Sequence, residues 1–333
     1  MRCPDCSHNQ KYKDGRRCSQ CGYRFIFRNK DDKISDFALR QMIDRLSDKD
    51  QYCFTTTQLA LEICRYWNKK TVGPLGCSLI IVLLAAIVWF ITEWSLPAGL
   101  YILLFVAVML GFQFKRGLQR SVDFNGAKKV VEKYAQTHPI AQLANGKAFN
   151  TRTEPDSSES YYAPERILIV ESDELADMLI RNRFPLLNKT AVVSRSGYPA
   201  PVFAACQTFL RNHPTIPVQI LHEASQRGFV LFAQIAADSR WQFACNNLVD
   251  LGLSRESLQR SSSLPWLPPE GRSATAYFAR RHEQMLTRGY RVPIDFMPPR
   301  MLLGTLATAI TVGSLLLAAP NIADGVSLEV SYG

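Results

Sequence analysis

Four cysteines near the start of the chain have the type and spacing for metal chemistry. Cys3 and Cys6 enclose Pro4-Asp5, eleven residues follow, and Cys18 and Cys21 enclose Ser19-Gln20. A Cys-x-x-Cys turn is a tight knuckle that aims two thiolates at one point. Two knuckles supply the tetrahedral sulfur shell that Zn²⁺ accepts. Four sulfurs leave no open coordination position, so the spacing predicts a structural ion, not a catalytic one. Redox chemistry competes for a single Cys-x-x-Cys, and the second motif argues against it. His8 could substitute as a ligand, but four cysteines leave it a surface role. Gly22 falls where the chain must turn sharply and a side chain would crowd the metal. Asp14-Gly15 is a hairpin-turn signal between the knuckles. Tyr23, Phe25 and Phe27 alternate with Arg24, Ile26 and Arg28, the period of a short strand.

Further along, polar groups gather at the ends of apolar runs. Ile167-Leu-Ile-Val170 reads as a buried strand, followed at once by Glu171 and then Asp173. Thr190 to Val193 is a second strand, followed by Ser194-Arg195-Ser196-Gly197. Pro217 to Leu221 is a third, followed by His222-Glu223-Ala224-Ser225. Helical patterns fill the intervals: Ser172 to Asn182, a stretch ending at Arg211, and Gly228 to Ala237. This alternation predicts an α/β domain whose parallel sheet is covered on both faces. Ligands of such sheets bind at the carboxyl ends of the strands, where Glu171 and Glu223 fall. Other chemistries find no support. No nucleophile elbow accompanies His213 or His222, and no GxxxxGK[ST] phosphate loop occurs.

Two resemblances bear on these motifs. The cysteine segment resembles the zinc ribbons that open many otherwise unrelated bacterial proteins, a group that binds nucleic acid or protein alike. Ile167 to Phe184, Val193 to Pro199, Ile216 to Leu221, Gly228 and Asn247 to Ser254 together resemble the Toprim domain. The form in question is that of the A subunit of type IIB topoisomerases and the related meiotic break-forming enzymes, and the likeness covers about a quarter of the chain. It implies a parallel sheet and a Mg²⁺ ion, held by a Glu and an Asp-x-Asp pair, that assists phosphodiester chemistry. Glu171 matches the glutamate. Glu223 and Ser225 stand at the acidic pair, so one carboxylate is kept on a longer arm and one is lost. Magnesium needs several hard oxygen ligands, and this set is a poorer clamp for developing charge. No tyrosine-bearing winged-helix domain is evident, so covalent strand transfer is not implied.

Leu75 to Thr92 and Leu96 to Phe114 are uncharged apolar runs, and Met301 to Ala319 is a third. Each is long enough to cross a bilayer as a helix. The first two, separated by Glu93-Trp94-Ser95, predict a helical hairpin. Lys69, Lys70, Lys115, Arg116, Arg291 and Arg300 flank the runs. The positive-inside rule then places the protein in the inner (cytoplasmic) membrane, with the N-terminus and α/β domain cytoplasmic and a short C-terminal tail outside. The formal charge of +10 has two sources on this reading: basic membrane flanks, or an anionic partner such as nucleic acid or acidic lipid. Paired Cys-x-x-Cys motifs fit a reducing compartment, and no secretory leader is expected.

The chain thereby divides into a zinc ribbon (1–29), a small helical module (30–70), a transmembrane hairpin (71–116), a helix and linker (117–164), a Toprim-like α/β domain (165–260), a basic Pro/Arg-rich segment with a helix (261–300), a transmembrane helix (301–320) and an external tail (321–333). In the helical module Phe37, Leu39, Ile43 and Leu46 form one apolar face, and Leu59, Ile63 and Tyr66 another. Thr55-Thr56-Thr57 offers an N-cap. Two such helices are either a helix-turn-helix reader of DNA or a spacer. The expected function is a membrane-anchored zinc-ribbon protein that recruits DNA, RNA or a protein partner without catalysis. The alternative is a tethered Mg-dependent nuclease with Glu171 and Glu223 as catalytic ligands.

Overall fold

The computed structural model describes residues 1–28, 32–70, 120–149, 164–241, 247–260, 264–269, 276–279 and 283–313. The cysteine segment folds on single bridges, Arg2 to Asn9 and Arg17 to Arg24, and not on an extended strand. Tyr23, Phe25 and Phe27 are buried, as their alternation predicts. Yet the N–H groups of Ile26 and Phe27 donate to the carboxylate of Asp36, at 2.8 and 3.1 Å, and not to a partner strand. Asp36 opens α1 (Asp36–Leu46), whose N-cap Ser35 accepts from the N–H of Ala38.

Next comes α2 (Thr56–Lys70). Thr55 Oγ1 accepts from the N–H of Gln58, while Gln58 Oε1 accepts from the N–H of Thr55. This reciprocal box satisfies two donors that a helix start otherwise leaves unpaired. Leu59, Ala60, Leu61, Ile63 and Cys64 are all buried. No residue from Thr55 to Asn68 is exposed, so α2 has no face to lay in a DNA groove and is not a recognition helix. Packed on it are β1 (Arg120–Val122) and α3 (Phe124–Ala135).

The α/β body follows in the expected alternation: β2 (Arg166–Val170), α4 (Asp173–Arg181), α5 (Phe184–Asn188), β3 (Thr190–Ser194), α6 (Ala200–Asn212), β4 (Val218–Leu221), α7 (Gln226–Ala236) and β5 (Leu248–Asp250). The strands form one parallel sheet in the order β3-β2-β4-β5. Ile167, Ile169, Val193, Val218 and Ile220 face a layer that contains Cys206 and Leu210 of α6 and Leu231 and Ile235 of α7. Leu168, Val170, Val192 and Leu221 face the opposite layer, with Leu175 and Leu179 of α4. Near-continuous apolar strands are what a sheet covered on both faces requires.

After β5 come α8 (Arg255–Arg260), β6 (Leu264–Trp266), β7 (Ala276–Ala279), α9 (Glu283–Thr287) and α10 (Pro299–Val312). β6 and β7 join β1 in a small antiparallel sheet of order β1-β7-β6, which closes the chain segments before and after the α/β body onto each other. The basic segment carries a short helix, α9, and in addition the strand β7.

Among the described residues no helix is long and apolar enough to cross a membrane. This overturns the expected three-span architecture, on which the membrane as partner and the inner-membrane placement with an external tail rested. The last expected span shows why. α10 has 14 residues, or about 21 Å at ~1.5 Å per residue, against a hydrocarbon core of about 30 Å. It ends at Gly313, whose φ of +77° stops the helix. Leu302, Leu306, Ala309 and Ile310 form a buried stripe in the main core, and Gln219 of β4 donates to the carbonyl of Ile310 at 2.8 Å. The described part of the apolar run, up to Gly313, is therefore a core helix covering the sheet. The expected hairpin at 75–114, the tail and all but one residue of the linker at 151–164 lie outside the described residues.

Candidate functional site

Cys3, Cys6, Cys18 and Cys21 converge, with all four Sγ atoms within 4.8 Å of one another. The Cys3–Cys21 and Cys6–Cys18 sulfurs are each 3.5 Å apart. A tetrahedral ion with metal–sulfur bonds of ~2.3 Å has sulfur–sulfur edges of about 3.8 Å, so the cluster fits one. N–H groups of Cys21 and Gln20 point at Cys18 and hold its thiol down at about 6, against the raising effect of burial. Burial pushes Cys3 up. The donor set is thus four thiols that a cation would deprotonate. His8 is outside the set; its Nε2 lies 3.2 Å from Ser19 Oγ. Gly22 has a φ of +79° and open space where a side chain would begin, so conformation and not crowding asks for glycine there.

The ribbon is bolted to the body. Tyr23, two residues past the last cysteine, donates its hydroxyl to Asp36 at 3.2 Å and lies 3.3 Å from the hydroxyl of Tyr134 on α3. Its ring stacks on His138, with centroids 4.5 Å apart and planes 7° apart. Burial raises the Tyr23 phenol far above its ordinary range, so it stays a neutral donor. Phe27 belongs to the main core. These long-range pairings carry no sequence signal beyond the aromatic alternation.

The carboxyl ends of the parallel strands bring Glu171 and Glu223 together. β3 and β4 lie on opposite sides of β2, so the strand order reverses between β2 and β4. That crevice is where ligands of open α/β sheets bind. Glu171 Oε2 accepts from the N–H of Glu223 at 3.0 Å. Glu223 in turn is paired with Arg291 at 2.6 Å. Arg291 arrives on a segment pinned beside it, by Val292 bridged to Ala224 and Arg291 to Leu267. Burial raises the Glu223 carboxyl to about 7; Arg291 lowers it and Glu171 raises it further. Ser225 is the N-cap of α7 and accepts from the N–H of Gly228 at 2.8 Å. Asp173 is also engaged: Ser194 and Ser196 both donate to its Oδ1.

His222 is a residue whose place the sequence did not reveal. It is buried. Its Nδ1 lies 2.8 Å from the carbonyl of Glu223 and its Nε2 3.1 Å from Asp250 Oδ1. Both ring nitrogens face acceptors, which suits the doubly protonated ring. Burial opposes that charge, but the bonds to Asp250 and Glu223 prevail and its pKa is raised. A Cβ on Gly252 would come within 2.1 Å of the ring, and one on Gly228 within 3.0 Å. At Gly228 the carbonyl of Glu223 comes closer still, 2.1 Å from where a Cβ would sit.

No protein-family model, curated protein or solved structure matches the chain. What stands is a cluster of four cysteines able to hold a metal ion such as zinc, fixed to a parallel α/β domain.

Proposed function

We propose that this is a nucleic-acid-binding protein in which a zinc ribbon grips the phosphate backbone and a degenerate Toprim-like domain serves as a non-catalytic scaffold. The carrying observation is the charge on the ribbon surface. Lys11, Lys13, Arg16 and Arg17 are exposed on the loop between the knuckles, and Arg24 and Arg28 on the stretch after them. Against them stand only Asp5 and Asp14, and Asp14 is engaged by the N–H of Lys11. Cations grouped on one small, metal-stiffened surface are the footprint of phosphate binding. Zinc is the proposed ion because the closed thiolate shell favours it.

A non-catalytic role is supported by where the acids are used. Glu223 is neutralised by Arg291, Ser225 caps a helix, and Asp173 is occupied by two hydroxyls. Glu171 is left as a single carboxylate at the strand-order reversal, too few oxygens for a Mg²⁺ clamp.

Purified protein should contain one zinc per chain by elemental analysis. It should bind a labelled duplex with an affinity that falls steeply with salt. Reversing Lys13, Arg16 and Arg17 to Glu should weaken binding and reduce the salt slope by about 3, near one for each phosphate no longer neutralised. Binding that ignores both salt and these reversals would sink the proposal. Plasmid incubated with Mg²⁺ or Mn²⁺ should stay intact. Cleavage that disappears in Glu171→Ala would instead establish the nuclease.

A further inference from the structure

A cleft of about 240 Å³ opens where α2, α3 and the segment entering α1 meet. Lys33, Lys129, Lys133, Trp67, Asp32 and Asp123 line it. The two carboxylates are already engaged. Asp32 takes Lys133 at 2.6 Å and the N–H of Arg28 at 2.9 Å. Asp123 caps α3 through the N–H of Gly126 at 2.9 Å. Lys33 and Lys129 are exposed and have no carboxylate partner among the described residues. Trp67 Nε1 donates to the carbonyl of Lys33 at 3.1 Å, which sets the half-buried indole as a wall of the cleft.

Three ammonium groups against the carboxylates of Asp32 and Asp123 leave the cleft cationic and able to recognise phosphate, and a fixed indole offers a flat face on which any base can stack. The volume lies below the roughly 300 Å³ at which most ligand clefts begin, so a single nucleotide fits better than a larger cofactor. The cleft also continues the ribbon. Arg28 and Lys133 share Asp32, and the Lys133 ammonium lies 5.5 Å from the centroid of the Phe27 ring. We infer that this cleft takes one unpaired nucleotide of a strand held by the ribbon, with phosphate on Lys33 and Lys129 and the base against Trp67. The inference rests on the ribbon being a nucleic-acid binder, and it makes the preferred ligand single-stranded.

The test is fluorescence anisotropy with the full chain, a labelled 12-nucleotide oligothymidylate and a duplex of equal length. Trp67→Leu should weaken single-strand binding about tenfold, in the range of one base stack removed, and leave the duplex within twofold. Lys129→Glu should act the same way. Trp67→Phe keeps a stacking face and should recover most of the affinity, which separates stacking from a folding defect. If Trp67→Leu and Lys129→Glu leave single-strand binding within twofold while the ribbon reversals weaken it, the cleft assignment falls and the ribbon reading survives. If the cleft variants weaken binding and the ribbon reversals do not, the ribbon reading falls, and the inference that the ribbon holds the strand falls with it. Displacement of the oligonucleotide by thymidine monophosphate at equal nucleotide concentration would overturn the single-strand assignment in favour of a free nucleotide.

Discussion

Glu223 shows how burial changes the chemistry of one side chain. Its carboxyl is raised to about 7, from an ordinary value of 4.5, because desolvation outweighs the Arg291 ion pair. Folding therefore favours the protonated form. The stability it contributes is fully present below the ordinary value and is lost as pH rises through about 7. His222 acts in the same direction, since its pKa is also raised in the fold. Urea unfolding of the native protein should show stability falling between pH 5 and 7 by up to about 1.4 kcal/mol per pH unit from Glu223. Glu223→Gln should lower that slope and leave the parts from His222 and from the buried Glu174 and Asp295, whose carboxyls burial also raises. Equal slopes in the two proteins would refute the assignment. From sequence Glu223 read as a metal ligand, because its position after a strand was visible and its distant partner Arg291 was not.

Among the elements, α10 carries the largest correction. Its composition suits a lipid phase and a protein core equally, since both reward apolar surface. What separates them is length and one-sidedness. The buried stripe of Leu302, Leu306, Ala309 and Ile310 faces the sheet, while Gly304, Thr308 and Thr311 are exposed. Leu306→Ala should destabilise the protein by about 2–5 kcal/mol, the cost of a cavity in a close-packed core. Chemical denaturation in plain buffer measures this, and a change below about 0.5 kcal/mol, the usual scale of surface substitutions, would mean that the helix is not core. α2 makes the same point. Its expected apolar face was correct, but the lack of any exposed residue from Thr55 to Asn68 removed the DNA-reading option that the pattern alone left open.

Across the whole molecule, the four-cysteine cluster and the α/β body form one mechanical unit. Asp36, Tyr134 and His138 hold the end of the ribbon, and Phe27 enters the main core. Loss of the ion should therefore reach beyond the cysteines. Chelation should lower the midpoint of the main thermal transition by more than about 5 °C and remove near-ultraviolet signal from the packed tyrosines. The scan is followed by far-ultraviolet circular dichroism, which the helices of the body dominate. An unchanged midpoint after metal removal would show the ribbon to be an independent appendage. The small β1-β7-β6 sheet adds a second closure, between residues more than 150 positions apart in sequence.

Local order determined what could be read without a fold. The four cysteines, the βα alternation from Ile167 to Leu221, and the caps at Ser172 and Thr55 depend on spacing within a few residues, and spacing is explicit in a sequence. The pairings that decide function have no such signature. Arg291 on Glu223, Gln219 on Ile310, Tyr23 on Tyr134 and the lysines around Trp67 join distant segments. They follow from how the layers pack, because burial and charge compensation are properties of neighbours in space. Tertiary structure alone turned an apolar run into a core helix and a matched pair of carboxylates into an ion pair and a hydrogen bond.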